Sequence, residues 1–141
     1  MTAPASIRSF RETDRPQLVE LWSAEFPDDP PRNAPERMID GTRTHHPELL
    51  LVAEAGGAIV GAVIAGFDGV RGWIYHLAVA PAHRRRGIAT RLMRAAAEGL
   101  RAAGCAKVNL QVRATNLGVV AFYRALGYEI EDRISMGRAL D

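Results

Sequence analysis

Apolar positions along this chain switch between a two-residue and a three-to-four-residue period, and the switches mark out its elements. Ile7-Arg8-Ser9-Phe10 alternates apolar and polar side chains, which predicts a short first strand. Thr13 or Asp14 then offers a side-chain cap for a helix whose stripe is Leu18, Leu21, Trp22 and Phe26. Pro27-Asp28-Asp29-Pro30-Pro31, with Pro35 just beyond, reads as a loop before a weaker helix from 36 to about 44, ending near Gly41. The apolar run 49–53 predicts a buried strand, and Gly56-Gly57 closes a hairpin onto 58–67. Asp68-Gly69 begins a second turn, and 73–79 follows as a strand that must stop at Pro81, which has no N–H for the ladder. Ile88, Leu92, Ala96 and Leu100 recur at helical spacing and predict a long helix from about 87 to 103, with Gly104 as its stop. The pattern closes with a strand at 108–112, a helix at 116–126 halted by Gly127, and a last strand at 128–135. The order β-α-α-β-β-β-α-β-α-β predicts a mixed α/β sandwich with a late βαβ unit.

Length and composition narrow this further. The 141 residues fit one domain, 1–141, able to bury about two-thirds of the surface its unfolded chain exposes without a disulfide or metal. Cys105 is the only cysteine, so no intramolecular disulfide can form and a reducing, cytoplasmic setting is expected. The longest charge-free stretch, 55–67, is too short to span a bilayer, and Met1-Thr2-Ala3-Pro4-Ala5 lacks the basic start and apolar block of a signal peptide. No membrane partner is therefore expected. The formal net charge is only +2, but it is unevenly spread: residues 1–70 sum to −5 and residues 71–141 to +7. That asymmetry suggests an anion-binding half beside one that attracts cations, against the plain alternative of compositional drift.

The most informative segment is Leu77-Ala78-Val79-Ala80-Pro81-Ala82-His83-Arg84-Arg85-Arg86-Gly87-Ile88-Ala89-Thr90-Arg91. A strand ends, a basic loop follows, and a helix opens at a glycine. A helix start leaves about four backbone N–H groups unpaired and carries roughly half a positive charge, so this is a ready anion site. Gly87 lets the backbone approach an anion closely, and Ala89 keeps the first turn unobstructed. Neither the P-loop nor the dinucleotide glycine pattern is present. The alternative is three arginines in a solvated turn. No aromatic residue interleaves the arginine cluster to stack bases, so a nucleic-acid partner is not expected. His45-His46-Pro47 has no third ligand at plausible spacing, so no metal is expected, and Cys105 reads as a small packed residue.

Arg84-Arg85-Arg86-Gly87-Ile88-Ala89 resembles the Arg/Gln-x-x-Gly-x-Gly/Ala signature of the GNAT (Gcn5-related) N-acetyltransferase family. Leu77-Ala78-Val79 resembles the family strand that binds the pantetheine arm of acetyl-CoA. Asn116, followed seven residues later by Tyr123 within Phe122-Tyr123-Arg124-Ala125-Leu126-Gly127-Tyr128, resembles its last motif. The close likeness covers roughly 72–128, and Asp68-Gly69-Val70-Arg71-Gly72-Trp73 is most similar to the small bacterial YpeA-type subgroup.

The resemblance implies a GNAT fold: a mixed, mostly antiparallel sheet flanked by helices, with splayed central strands forming the acetyl-CoA cleft. It implies acetyl-CoA as co-substrate and an amine acceptor, a small molecule by preference, with a protein N-terminus or lysine next and a weakly catalytic acyl-CoA sensor as the non-enzyme alternative. Backbone N–H groups of Arg84, Arg85, Arg86, Gly87, Ile88, Ala89 and Thr90 would hold the pyrophosphate. Tyr123 would protonate the departing thiolate, its phenol having an ordinary pKa near 10. Asn116 would share its helix face, about 10 Å away along the axis. The group that takes the amine proton stays open. Gln111 stands where ribosomal-class relatives have a glutamate, and Trp73 and Tyr75 stand where others have Glu or His. His76 is placed on the face opposite Tyr75 by strand alternation unless a bulge intervenes. Glu25, the acidic 27–31 loop and an ordered water remain alternatives, and a homodimer is left open.

Overall fold

The computed structural model describes residues 4–141; Met1, Thr2 and Ala3, where the expected absence of a signal peptide begins, lie outside the described residues. The described chain divides into two compact units, residues 1–110 and 111–141.

The first unit is a five-stranded sheet with helices on both faces. Its strands are β1 (Ser6–Ser9), β2 (Leu50–Ala55), β3 (Ala58–Phe67), β4 (Gly72–Val79) and β5 (Val108–Leu110), and they lie side by side in chain order. β1 to β4 are antiparallel, and β5 joins β4 in parallel after the crossover helix, the βαβ unit expected from the pattern. The β2–β3 hairpin turns on Gly56 and Gly57, both with positive φ (57° and 81°), as a two-residue turn matched to strand twist requires. Asp68 shapes the next turn by accepting the Val70 and Arg71 N–H groups at 2.7 Å each.

Helices α1 (Arg15–Glu25) and α2 (Pro35–Arg43) cover one face. Leu18, Leu21, Trp22 and Ile39 are buried there against Leu50, Val52, Ala62 and Ile64, alternate residues of β2 and β3. Helix α3 (Ile88–Ala102) covers the other face, with Ile88, Leu92, Ala96 and Leu100 all buried as their spacing predicts. Because helices cap both faces, β3 reads as an unbroken apolar run and β2 as one interrupted only by Glu54. Gly61 lets α3 approach: a Cβ there would stand 3.2 Å from Leu92 Cδ1 and 3.3 Å from Ile88 Cγ2. Gly104 ends α3 with φ +96°, its N–H bonded to Arg101 O and the next N–H, of Cys105, to Leu100 O.

Asp14 departs from expectation. A single 3-10 turn, Glu12–Asp14, precedes α1, and the Asp14 carboxylate caps the start of that turn and gives α1 no side-chain cap. Instead it accepts Arg11 N–H at 2.8 Å and the Arg8 guanidinium at 2.7 and 2.8 Å, while Arg8 also reaches Glu54 at 2.5 Å. Asp14 is itself helical (φ −83°, ψ −15°), so its carboxylate reaches back to the start of the turn rather than to the first N–H groups of α1. Gly41 likewise lies inside α2 rather than at its end.

In the second unit, Leu117–Val119 is a 3-10 turn and α4 spans only Val120–Ala125, so the helix predicted from 116 is shorter. Asn116 (φ −115°, ψ 51°) stands before it, which corrects the expectation that Asn116 and Tyr123 share a helix face. Gly127 ends α4 as predicted, with φ +95°, and the N–H groups of Gly127 and Tyr128 close on Arg124 O and Tyr123 O. Two strand expectations are also corrected. β5 ends at Leu110 rather than 112, and among the described residues 128–135 forms no strand. Ile130 and Ile134 have the alternation of a strand, but pairing, not alternation, makes one, and both are exposed.

Two predictions test this packing. A Cβ on Gly72 would meet Cys105 Sγ at 2.9 Å and Leu100 Cδ1 at 3.0 Å. Gly72→Ala should cost about 1–3 kcal/mol in denaturant unfolding, and adding Cys105→Ala should recover part of it by removing the sulfur. The Arg8 hydrogen bond holds the Asp14 carboxyl below its usual range despite burial. Its stabilisation is therefore complete above the ordinary carboxylate pKa and is lost as pH falls through the lower folded value. Asp14→Asn should cost about 1–3 kcal/mol at pH 7, a difference that narrows below about pH 4.

Candidate active site

Pairing between β4 and β5 covers only Gly72–Val108, Trp73–Asn109 and Ile74–Leu110. From Tyr75 onward, no strand among the described residues pairs with that edge of β4. On its other edge β4 stays bound to β3, but the count changes: Ile64 faces Tyr75 and Ala62 faces Ala78. Three steps on β4 match two on β3, so β4 carries one extra residue, a bulge at His76 and Leu77. His76 absorbs it with a left-handed backbone, φ 54°, a region that His enters more readily than most side chains but that costs about 1–2 kcal/mol.

The bulge is held from the α1 side. Trp22 Nε1 donates to His76 O at 3.0 Å. The imidazole packs against Trp22 (ring centroids 5.4 Å apart) and Phe26 (4.7 Å), and its Nε2 lies 2.9 Å from Asp29 Oδ2. A carboxylate can only accept, so Nε2 carries the proton in this bond. The two side chains are 11% and 9% exposed, so the pair is nearly removed from water. The bulge thus breaks the alternation used to place His76 opposite Tyr75. Asp29 was visible in the sequence only as part of an acidic proline-rich loop, and nothing in its spacing signalled a partner 47 residues away. The His76 peptide is trans, so with its carbonyl turned to the indole the Leu77 N–H points the opposite way.

Beyond the bulge Leu77 is half-buried, and Ala78 and Val79 are buried against Ala62 and Gly61. A 3-10 turn, Pro81–His83, then leads to the arginines and α3. Arg85 (φ 63°) and Gly87 (φ 76°) are both left-handed, and Gly87 stands at the helix start with no side-chain cap on the first turn. A Cβ on Gly87 would meet nothing within 4 Å, so its backbone conformation rather than space calls for glycine there. The N–H groups of Ile88, Ala89 and Thr90 form the uncapped turn at the positive end of the helix.

The three arginines separate. Arg84 folds back, donating from Nε to Val79 O at 3.1 Å and pairing with Glu25, so its side chain serves the β4–α1 junction. Glu25 is thereby engaged as well. Arg85 and Arg86 are exposed and unpaired with any carboxylate among the described residues. Beside them a cleft of about 410 Å³ is lined by Ala55, His83, Arg86, Ile88 and Arg91 together with Pro4 and Ala5. Tyr75 is 45% exposed, and burial of the rest of its ring, with the Asp68 charge, pushes its phenol above the usual value.

Within the second unit, the Tyr123 ring packs edge-on against Phe122 (5.1 Å) and Tyr128 (6.0 Å). Burial, and secondarily Tyr128, raises its pKa, so the phenol keeps its proton at neutral pH. Asn116 bonds through its backbone, N–H to Arg113 O at 2.8 Å and C=O to Val119 N–H at 3.4 Å. Gln111 is bonded to Ser135. Elsewhere, His46 Nδ1 stands 3.1 Å from Glu48, and Cys105 Sγ donates to Lys107 O at 3.2 Å. Among the described residues no three His, Cys, Asp or Glu side chains are grouped to hold a metal, and no helix is long and apolar enough to cross a membrane.

Comparison with known proteins agrees with this geometry. Residues 15–128 match the acetyltransferase (GNAT) family. The chain is 44% identical over 135 residues to an acetyltransferase of Yersinia enterocolitica, covering 95% of this chain and 94% of that protein. It is 41% identical over 128 residues to an acetyltransferase of Sodalis glossinidius, covering 91% and 89%. Among solved structures, Ard1 from Thermoplasma volcanium superposes with a TM-score of 0.79 at 23% identity, covering 91% of this chain and 84% of that one. Aminoglycoside N-acetyltransferase AAC(6')-Iy in complex with CoA gives 0.78 at 21% identity, covering 99% and 97%. With an open mixed sheet flanked by helices and these relatives, the chain belongs to the acetyltransferase (GNAT) family and is an acyltransferase.

Proposed function

We propose that this enzyme moves the acetyl group of acetyl-CoA to a primary amine by direct attack while both substrates are bound, with a small-molecule amine as the favoured acceptor. The observation that carries this reading is the end of β4–β5 pairing at Ile74 and Leu110, which leaves the following backbone of β4 open at one edge. The fit to acetyl-CoA rests on that edge and on the uncapped turn at Gly87 and Ile88, where donors rather than particular side chains are needed for a pyrophosphate. The pantetheine arm would run along Leu77, Ala78 and Val79. The solved CoA complex of a protein with this fold supports the same co-substrate.

Acetyl-CoA supplies a thioester carbonyl. The amine forms a C–N bond to that carbon as the C–S bond breaks, its nitrogen gives up a proton to solvent water, and the departing thiolate takes one from the acid. The Leu77 N–H, fixed facing away from Trp22, is suited to polarise a carbonyl oxygen. Tyr123 is the proposed acid, because its raised pKa keeps a proton available. Tyr75 shares the raised pKa, which unsuits it to deprotonate the amine at neutral pH. Asn116 is assigned to the cofactor side with the Arg84–Thr90 backbone. The family match runs across both compact units, which supports their acting as one transferase domain. The lone thiol, Cys105, supports a reducing compartment such as the cytoplasm.

Thiol release from acetyl-CoA over a panel of small amines and peptides tests the reading. Turnover with small amines is expected, and preferential turnover of peptides would move the acceptor to the protein class. Tyr123→Phe should lower kcat at least tenfold while calorimetric acetyl-CoA affinity stays within about twofold. Acetyl-CoA binding with no turnover on any amine would instead favour the sensor, and no binding would overturn the proposal.

A further inference from the structure

Every contact of His76 described above serves to hold one short piece of backbone. Its residue is the extra one in β4, its φ of 54° is foreign to a strand, and its carbonyl is taken by Trp22 Nε1 at 3.0 Å. A left-handed non-glycine residue persists only where its surroundings over-determine it. Here the surroundings are an imidazole lodged against Trp22 and Phe26 and fixed at its far end by Asp29, 2.9 Å away. Asp29 in turn lies in the connection between α1 and α2, so the pair ties that loop to the open-edged part of β4.

We propose that His76 and Asp29 form a positioning pair that locks the β4 bulge, and with it the Leu77 N–H that faces away from Trp22, in the orientation the transfer step uses. Neither side chain is given a proton-transfer role: Nε2–H is spent on Asp29, and the ring acts through the backbone it anchors. The proposal rests on the reading of β4 as the strand that takes the thioester. It adds two residues to the determinants of that reaction, one from the bulge and one from a loop 47 positions earlier. The charged group of α1 near the same junction, Glu25, is engaged by Arg84, which also donates to Val79 O from the β4–α3 loop.

The substitutions that separate ring from backbone are Asp29→Asn, which keeps shape and removes charge, and His76→Gly, which keeps the left-handed conformation and removes the ring. Both should lower kcat at least tenfold with the acetyl-CoA dissociation constant, by calorimetry, within twofold of wild type. The double variant should be no worse than His76→Gly alone, because the two residues act as one unit. Retained acetyl-CoA binding also certifies that each variant is folded. Hydrogen exchange gives a readout independent of turnover: residues 75–79 should exchange at least fivefold faster in Asp29→Asn. Exchange and kcat both within twofold of wild type in Asp29→Asn, or single losses that multiply in the double variant, would overturn the pair. If the wild-type protein itself releases no thiol, the transfer reading fails, and the exchange measurement alone decides whether the pair locks the strand.

Discussion

The single residue by which β4 exceeds β3 is the constraint on which the rest of the first unit turns. A ladder cannot absorb an unpaired residue without local distortion, and here all of it falls on His76. The strand meets that demand with a left-handed backbone, an indole donor for the displaced carbonyl and an aromatic seat for the ring. Pairing with β3 resumes immediately, at Ala78 and Val79, so the sheet stays continuous on that side. On the β5 side it does not resume, since the last pair is Ile74 with Leu110, just ahead of the bulge. One edge of β4 is consequently fixed, and beyond Ile74 the other pairs with no strand among the described residues.

The long helix turns that opening into a directed one. Gly61 and the stripe Ile88, Leu92, Ala96 and Leu100 fix α3 against the sheet. Its start follows the carboxyl end of β4, the end at which open α/β sheets tend to bind ligands. The charge imbalance of the chain takes a more local meaning in this light. Arg8 and Arg15, in the acidic half, are already tied to carboxylates, and the basic half returns Arg84 to Glu25. Arg85, Arg86 and Arg91 have no carboxylate partner among the described residues and stand at the helix start beside backbone donors with no cap. These side chains and the helix end concentrate positive charge at one turn of the basic half.

Much of this was legible because it depends on one segment at a time. Helical stripes, the Gly56-Gly57 hairpin, the glycines that end α3 and α4 and the late βαβ unit each follow from local spacing and backbone preference. The failures share the opposite character. Asp14 binds an arginine on another element and caps the turn before α1 instead of α1 itself, and the alternation of Ile130 and Ile134 has no strand to pair with among the described residues. The bulge belongs to two strands jointly, so a count along β4 alone returns a regular alternation and puts His76 on the wrong side. Asp29 was equally hidden: its loop is readable, but its partner is set by how α1 seats on β4. In the candidate site, the glycine and the arginine turn were visible, and the residues that shape the strand opposite were not.

That division has a physical source. Backbone N–H groups are the functional atoms proposed for both the pyrophosphate turn and the carbonyl, and every residue except proline has one. Sequence can advertise such a site only where the backbone needs an unusual conformation, as Gly87 does with φ 76°. At β4 the same need is met by His76 at φ 54°, a side chain that pays a conformational cost and recovers it through its ring contacts. A glycine there would have announced itself, but it would also have left the strand free to move. The histidine conceals the bulge from a sequence reading for the same reason that it can hold it still.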